Sequence, residues 1–315
     1  SAEGRRIKVG LVFDVGGLGD KSFNDSAYAG LRRARQELGV DGEYREPGQG
    51  SQRGDHLRNF ARGDKDLIIG VGFLFTDEIT QAAEDFPKKK FACVDYTVTD
   101  ESEIPENLVA LNFREEEGAF LVGGIAALKS KSGKIGFVGG VESPLIKKFE
   151  AGYTQGARHV RPDIEVKAAY AGVSDKAFQD PQKGKELANS MYDAGVDVIF
   201  HASGSTGLGV FKSAEEKGKW AIGVDADQSG DARPGVIITS MLKNTDQAVF
   251  DVIRQVSEGR FKGGVQRLGL KEGGIGYVYN EKNRDLIGEE IHRKVEELKA
   301  KIISGEIKVA TTVSR

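Results

Sequence analysis

The sequence predicts an α/β protein with two similar lobes, each built on a parallel β-sheet covered by helices on both faces. The chain has 315 residues, and at roughly 150 residues per domain this length suits two domains. Short apolar runs alternate with amphipathic helical patterns along the chain, which is typical of parallel sheets buried on both faces. The series of runs restarts after residue 133, with about five strands before residue 113 and about five beyond residue 133.

The first lobe begins with an apolar strand at residues 7–13. A helix follows, with apolar residues at helical spacing, and ends at Gly39. Ser22, with Asp25 three positions later, predicts a capping box at the start of this helix. Further strands are predicted at residues 67–71, 91–95 and 108–112. A helix with apolar positions from Ala119 to Leu128 follows the last of these strands.

The second lobe repeats this alternation. Its strands are predicted at residues 134–138, 165–170, 196–200, 221–225 and 236–240. The rest of the chain predicts a helix near residues 245–258, a short strand at 277–279 and a charged surface helix at about 286–303. Because no low-complexity linker separates the lobes, we expect short crossings and a cleft between them.

Composition excludes several classes of protein. The formal net charge is −3, from 45 basic and 48 acidic residues, whereas nucleic-acid-binding proteins usually carry a basic excess. The single cysteine, Cys93, excludes a disulfide framework and a thiolate zinc site within one chain. No stretch approaches 18 consecutive apolar residues, so we expect no membrane span. The sequence suits a cytoplasmic protein and equally the mature part of an exported one.

The sequence lacks required residues of the known phosphate-binding and metal-binding motifs. No glycine-rich loop ends in Gly-Lys followed by Ser or Thr, and Gly17 and Gly19 lack the third glycine of a dinucleotide fingerprint. Residues 225–230 resemble the start of a calcium loop, but Val236 stands where a glutamate ligand is required. The zinc-protease and hydrolase-elbow motifs are absent. We therefore expect neither a metal nor a cofactor.

Polar and aromatic residues collect at the predicted strand ends. They comprise the loop 13–25 together with Asp95, Asn112, the stretch 201–204, Asp225 and Lys243. In open α/β sheets, ligands bind at the carboxyl ends of the strands. Carboxylates there can accept hydrogen bonds from vicinal hydroxyls or an amino group, and aromatic rings can stack on a planar ligand. This set suits a neutral, flat, hydroxylated ligand such as a nucleoside or a sugar, and suits a phosphorylated ligand badly.

Each of these residues also has a purely structural interpretation. Phe200 lies within an apolar strand, where phenylalanine is commonly part of the core. Asn24 and Asp95 are residue types that cap helices. His201 is typical of a structural histidine, and Lys243 of a solvated loop. Their shared position at strand ends is the observation that favours a binding site.

Several stretches carry a family resemblance. They are residues 14–24, 68–73, 136–140 with 149–153, 193–211, 222–228 and 239–243. In this order they resemble the basic membrane protein family, over about residues 7–309. Members of this family are substrate-binding lipoproteins of bacterial ABC transporters, and the best known are purine nucleoside receptors.

The resemblance implies a type I periplasmic-binding-protein fold, in which two Rossmann-like lobes close on a ligand through a three-crossing hinge. The crossings would lie near residues 112–113, 241–244 and 269–274. The N-terminal lobe would then comprise residues 1–112 plus 245–270, and the C-terminal lobe residues 113–244 plus 271–315. The function implied is capture of a purine nucleoside in the cleft between the lobes and delivery to a permease, without catalysis.

The resemblance also implies how the base would be bound. Phe23 and Phe200 would stack on its two faces, with Phe178 in reserve for the second position. Asn24 and Asp95 would read its edge. Adenosine, guanosine and inosine are the candidate ligands, and the sequence does not choose among them.

The same resemblance implies how the ribose is bound and where in the cell the protein is located. Asp225 and Lys243 would bind the ribose hydroxyls, while Asp14 and Gly204 would line the pocket. The other implied partners are ABC permease subunits. The lipidated cysteine of family members would precede Ser1, so the expected location is an extracytoplasmic, membrane-anchored lipoprotein or the periplasm.

Two other classes of protein fit the sequence less well. A nucleoside hydrolase needs carboxylates around a calcium ion and a phosphorylase needs an anion site, and the incomplete loop at Asp225 and the absent phosphate loop count against both. A ligand-sensing regulator with the same fold would normally carry a DNA-binding domain. Because the first strand begins at residue 7, we expect no such domain ahead of it.

Overall fold

The computed structural model describes residues 6–48 and 52–313. These residues form two compact units. The first contains the described chain up to Phe113 together with Asn244–Leu268, and the second contains Arg114–Lys243 together with the described chain from Gly269 onward. The chain therefore passes between the units at residues 113/114, 243/244 and 268/269. The boundaries predicted from the sequence lie at 112/113, 244/245 and 270/271.

The strands follow one another along the chain as β1 (Lys8–Val12), β2 (Asp41–Arg45), β3 (Leu67–Val71), β4 (Lys90–Val94), β5 (Leu108–Phe113), β6 (Lys134–Val141), β7 (Glu165–Gly172), β8 (Val198–Ala202), β9 (Trp220–Asp225), β10 (Ile237–Lys243), β11 (Gly264–Leu268) and β12 (Ile275–Tyr277). The helices are α1 (Phe23–Leu38), α2 (Gln52–Arg62), α3 (Thr76–Asp85), α4 (Glu115–Lys129), α5 (Pro144–Val160), α6 (Pro181–Asp193), α7 (Thr206–Lys217), α8 (Thr245–Ser257), α9 (Arg284–Ile287) and α10 (Glu289–Ile303). Both units thus alternate strands and helices as the sequence predicts.

Each unit contains one six-stranded sheet, and the two sheets share a layout. The strand order is β11-β5-β4-β3-β1-β2 in the first unit and β12-β10-β9-β8-β6-β7 in the second. Every pairing in the first sheet is parallel. In the second sheet only β12 runs antiparallel, and it pairs with β10. The carboxyl ends of the parallel strands therefore lie along one edge of each sheet.

The core strands form where the sequence is continuously apolar. All five residues of β3 and of β8 are buried, and helices α2 and α3 pack their apolar residues on the first sheet. Helices α6 and α7 contribute in the same way to the core of the second unit. Burial of such runs between two helical layers is the main source of stability in this architecture.

Four details differ from the sequence-based expectation. Strands β2 and β11 were not predicted, because both lie at an edge of the first sheet, where a strand needs no continuous apolar run. The short strand expected at 277–279 begins and ends two residues earlier, as β12. The charged helix expected at about 286–303 is two helices, α9 and α10, separated by Gly288, whose φ of 87° interrupts the helical backbone.

Helices α4 and α5 approach each other through glycines. A Cβ atom on Gly156 of α5 would overlap the carbonyl oxygen of Phe120 on α4. A Cβ on Gly152 would likewise overlap the Glu116 carbonyl. The two backbones are therefore in direct contact along this crossing. Within the described ranges, no helix has the length and apolar character needed to cross a bilayer.

Candidate functional site

The loop between β1 and α1 is shaped by carboxylates that accept from backbone N–H groups. Asp20, which is 6% exposed, accepts from the N–H groups of Ser22, Asn24 and Asp25 at 3.0, 2.7 and 3.1 Å. Asp25 turns back and accepts from the N–H groups of Gly19 and Lys21. The predicted capping box is therefore wrong. The Ser22 side chain makes no capping bond, because Asp20 already serves the exposed donors of the first turn.

Asn24 holds this loop against the end of β1. Its Oδ1 accepts from the Asp14 N–H at 3.0 Å, and its Nδ2 donates to the Val15 carbonyl at 3.3 Å. The residue is 1% exposed. The structure thus gives Asn24 a clamping role, related to the capping role that the sequence allowed. Its predicted contact with a base edge stays a prediction, and the amide oxygen is already engaged.

Asp14 and Asp95 follow β1 and β4, the two strands that flank β3 in the first sheet. Asp14 follows β1, and its carboxylate occupies the space that a Cβ on Gly72, just after β3, would need. Burial raises the pKa of Asp14 to about 7, and the negative charges of Asp95 and Asp20 act in the same direction. The Val15 N–H and Arg53 oppose the shift. With its pKa raised into the neutral range, Asp14 can hold a proton near neutral pH and can then donate as well as accept a hydrogen bond.

Asp95 and Asp225 occupy matching places in the two sheets. Asp95 follows β4 and Asp225 ends β9, and each strand is third from the same edge of its sheet. Their φ angles are +62° and +73°, a region that residues other than glycine seldom adopt. Among the residues described, the only other non-glycine with positive φ is Lys21. Strained backbone of this kind is concentrated at functional sites, so the geometry favours both carboxylates as ligand contacts.

Phe200 lies in the core of the second unit. It is fully buried in β8, and its ring centroid lies 5.2 Å from that of Tyr153, 5.7 Å from Phe137 and 6.3 Å from Phe149. A ring enclosed by three other rings presents no surface to a ligand in this structure. The core interpretation of Phe200 therefore describes its position, and the stacking candidate that we retain from this unit is Phe178.

Phe178 is half-buried and is held by a turn that contains Gly204. The Ser205 N–H donates to the Phe178 carbonyl at 3.0 Å, and the Thr206 hydroxyl donates to the Ala177 carbonyl at 2.6 Å. Gly204 has φ +59°, and a Cβ there would lie 2.6 Å from the Phe178 carbonyl oxygen. The ring itself covers Gly140, where a Cβ would overlap it. Gly204 is thus required both by its backbone angle and by the close approach of Phe178.

We expect Gly204→Ala to lower the free energy of unfolding by about 1–2 kcal/mol through the left-handed backbone alone. It should also displace Phe178 and weaken ligand binding. Gly218→Ala is a matched control, because Gly218 has a similar φ of +65° and nothing within 4 Å of its Cβ position. Urea unfolding and ligand titration of both variants measure the difference. Equal effects on binding from both substitutions would show that the contact with Phe178 is unimportant.

His201 belongs to a buried polar network that the sequence revealed only in part. Its Nδ1 lies 3.0 Å from the Ser203 hydroxyl and its Nε2 lies 2.9 Å from Oε1 of Gln228. Burial lowers the pKa of His201 to about 4, so the ring is neutral. The same Gln228 oxygen accepts from the Val224 N–H at 2.8 Å. Gln228 thereby fixes the turn that follows Asp225. Sequence reasoning gave Gln228 no role, although it lies in the calcium-like pattern and in the stretch 222–228 of the family resemblance.

Lys243 is buried in an ion triad. Its Nζ lies 3.0 Å from Oε2 of Glu115, whose Oε1 lies 2.8 Å from Nζ of Lys148. Lys243 is 2% exposed and Glu115 is fully buried, so the solvated-loop interpretation of Lys243 is wrong. Burial opposes ionisation of Glu115, but the two ammonium groups outweigh it and lower its pKa. Sequence reasoning also missed Glu115, because an acidic residue that opens a helix is ordinary.

The strand-end edge of the first sheet carries the carboxyl groups of Asp14 and Asp95 and the ring of Phe23, which is half-buried at the start of α1. The strand-end edge of the second sheet carries the Asp225 carboxylate, the Lys243 ammonium and the Phe178 ring. Groups of this kind bind a ligand through hydrogen bonds and stacking. In the described part of the chain, no cluster of three or more His, Cys, Asp or Glu side chains could hold a metal ion.

Comparison with known proteins identifies the family. A family model described as an ABC transporter substrate-binding protein, PnrA-like, and named Bmp, matches residues 7–312. The chain belongs to the Bmp family. Basic membrane protein A of Borreliella burgdorferi is 38% identical to it over 304 residues, which cover 95% of this chain and 86% of that relative. A lipoprotein of Pyrococcus furiosus is 35% identical over 355 residues, covering 99% of this chain and 87% of the relative.

A solved structure supports the same assignment. The crystal structure of an ABC transporter solute-binding protein from Aeropyrum pernix K1 matches this Bmp-family chain with a TM-score of 0.88 and 36% sequence identity. The match covers 98% of this chain and 94% of the other. The family resemblance and the periplasmic-binding-protein fold that the sequence predicted are both confirmed. The Bmp-family chain is thus an ABC transporter substrate-binding protein by family, and its relatives are named as membrane proteins and lipoproteins.

Proposed function

We propose that this Bmp-family protein binds a purine nucleoside and delivers it, chemically unchanged, to an ABC permease. The observation that carries the proposal is the pair of strained aspartates, Asp95 and Asp225, at equivalent strand ends of the two units. Two structurally matched carboxylates suit a neutral ligand with hydrogen-bond donors at both of its ends. A nucleoside has this character, since its base carries N–H groups and its ribose carries hydroxyls.

We assign the ribose to the second unit. Asp225 would accept hydrogen bonds from vicinal hydroxyls, and the Lys243 ammonium would donate to their oxygens. An ammonium has three N–H donors, so Lys243 can donate to more than one acceptor. Both side chains are more than nine-tenths buried, which strengthens their hydrogen bonds to a ligand by excluding water.

We assign the edge of the base to Asp14 and Asp95 of the first unit, and its faces to Phe23 and Phe178. The pKa of about 7 at Asp14 allows this carboxyl to donate to a ring nitrogen or carbonyl oxygen, while Asp95 accepts. A donor beside an acceptor suits the edges of adenine, guanine and hypoxanthine. Adenosine, guanosine and inosine are therefore the ligands that we propose.

Isothermal titration calorimetry tests this proposal directly. The protein is unfolded and refolded to remove any bound ligand, then titrated with adenosine, guanosine, inosine, uridine and ribose. We expect a purine nucleoside to bind, ribose alone to bind much more weakly, and chromatography of the mixture to recover the nucleoside intact. The absence of binding by all three purine nucleosides would reject the nucleoside assignment, and cleavage of the nucleoside would reject the receptor assignment.

Phe23→Ala is expected to weaken nucleoside binding by about 1–3 kcal/mol, because each base–aromatic stack contributes about that much. Phe86→Ala is the control. Phe86 is also half-buried in the first unit, but it follows α3 ahead of β4, away from the carboxyl ends of the strands. Calorimetry should show the loss of affinity only for Phe23→Ala. If both variants bind the nucleoside like the wild type, Phe23 does not stack on the base and serves only the start of the helix.

We also propose an extracytoplasmic location, with a lipid anchor attached ahead of Ser1. The support comes from relatives that are named as membrane proteins or lipoproteins. Detergent extraction of membranes from the source cells, followed by mass spectrometry of the N-terminal peptide, tests this location. An unlipidated N-terminus on protein in the soluble fraction would contradict the anchor.

A further inference from the structure

The first turn of α4 carries three consecutive glutamates, and two of them contact segments next to chain crossings. Helix α4 begins at Glu115, two residues after the first unit ends at Phe113. Glu115 pairs with Lys243, the last residue before the second crossing. Glu117 accepts from the Leu270 N–H at 2.9 Å, just after the third crossing. Glu115 is the one of the two that contacts a residue of the proposed ribose site.

Because Lys243 is buried, its ammonium depends on the Glu115 carboxylate to keep its charge and its position. The side chain of Lys243 is 3% exposed, and an ammonium this deeply buried loses its proton or its position without a counter-charge. Glu115 supplies that charge at 3.0 Å. The other groups that face this carboxylate are Lys148, at 2.8 Å from the second oxygen, and the neighbouring Glu116.

The geometry of the triad also fixes the orientation of the Glu115 carboxylate and of the Lys243 ammonium. Each oxygen of Glu115 faces a different lysine, so the carboxylate is held at both ends and cannot rotate without breaking a pair. Lys148 is partly exposed on α5, whereas Lys243 lies at the carboxyl end of β10. The pair with Lys148 thus orients Glu115, and Glu115 in turn orients the ammonium at the strand end.

We propose that Glu115 is a positioning residue for ligand binding, which holds the Lys243 ammonium charged and aimed at the ribose hydroxyls. This inference rests on the proposed nucleoside function. Glu115 itself, fully buried beneath two lysines, does not contact the ligand. A carboxylate that only stabilised the first turn of α4 would affect every ligand equally. A carboxylate that acts through Lys243 affects only ligands with ribose hydroxyls.

The experiment uses that difference. The wild type and Glu115→Gln are each titrated with adenosine, guanosine and inosine. Separate titrations of both proteins use the 2′,3′-dideoxy analogues of these nucleosides. We expect Glu115→Gln to weaken binding of the ribonucleoside about tenfold or more, in line with the loss of one charge-assisted hydrogen bond, and to leave the dideoxy analogue nearly unchanged. Glu117→Gln is the matched control, since it makes the same chemical change in the same turn without touching Lys243, and it should bind both ligands normally.

Two further variants complete the test. Glu115→Asp keeps the charge that folding requires but withdraws it by one methylene, so it should show a smaller loss with the same selectivity for ribose. It decides the question even if Glu115→Gln does not fold. In a double-mutant cycle, Glu115→Gln should add no further loss in a Lys243→Met background, because its effect passes through Lys243.

The outcomes separate the two proposals. Equal weakening of ribonucleosides and dideoxynucleosides by Glu115→Gln or Glu115→Asp would overturn the positioning role while leaving nucleoside binding by the wild type intact. A further loss of affinity in the Lys243→Met background would overturn it as well. The failure of the wild type to bind any of the nucleosides would instead reject the proposed function, and this inference with it.

Discussion

Replacing Asp225 with glycine is expected to weaken binding of the purine nucleoside by about 2–3 kcal/mol, which is about 30- to 150-fold. The substitution removes a 9%-exposed carboxylate at the end of β9, and hydrogen bonds to a charged group contribute about 1.5–3 kcal/mol each. Glycine adopts the φ of +73° without strain, so the fold should be retained. Calorimetric titration and a thermal melt of the same preparation measure both quantities.

Two comparisons make this prediction specific. Asp225→Ala should lose the same affinity and should also be less stable than Asp225→Gly by about 1–2 kcal/mol, because a Cβ in the left-handed region is strained. Asp227→Gly removes an exposed carboxylate from the same loop and should leave affinity unchanged. Wild-type affinity in Asp225→Gly would remove this residue from the site.

Replacing Gly156 with alanine is expected to lower the free energy of unfolding by about 3 kcal/mol or more. Alanine favours a helix by about 1 kcal/mol over glycine, so helix propensity alone predicts the opposite sign. The loss arises because the new methyl group would overlap the Phe120 carbonyl oxygen, a backbone atom of α4 that cannot move aside by changing a rotamer. Overpacking between rigid elements typically costs about 1–3 kcal/mol and occasionally more. Chemical denaturation followed by circular dichroism provides the measurement.

Gly124→Ala, on α4 itself, is the control for this packing argument. A Cβ at Gly124 would lie 3.6 Å from Leu298 and 3.9 Å from Val160, which are ordinary contacts. Helix propensity should then dominate, and the variant should be more stable than the wild type by about 0.5–1 kcal/mol. If Gly156→Ala also proved stabilising, the close approach of α4 and α5 would be incorrect.

Much of the fold could be predicted because buried strands have to be apolar. Strands such as β3, β4 and β8 lie where the sequence places continuous apolar runs. Strand β2 could not be found in this way, since its residues lie at the sheet edge and are polar. The capping of α1 was mispredicted, because the sequence does not show whether the Ser22 hydroxyl or the Asp20 carboxylate accepts from the N–H groups of the first turn.

The candidate site was predictable in position more than in detail. The rule that ligands bind at the carboxyl ends of parallel strands pointed to Asp14, Asp95 and Asp225, and it needs only the strand assignment. Which aromatic ring faces outward depends on packing between β8 and its neighbours. Periodicity along a strand buried on both faces carries no such information, and Phe200 shows this.

Apolar periodicity thus determined the fold class, because hydrophobic burial in parallel sheets leaves a repeating pattern along the chain. The family came from the resemblance of particular stretches to a known family, not from periodicity. The charge, pKa and orientation of individual polar groups depended on tertiary structure. Glu115 lies far from Lys243 along the chain, and only folding brings its oxygen within 3.0 Å of that ammonium and removes both from water. Charge, pKa and direction of such groups are set by neighbours in space, so they appear only when the neighbours are in place.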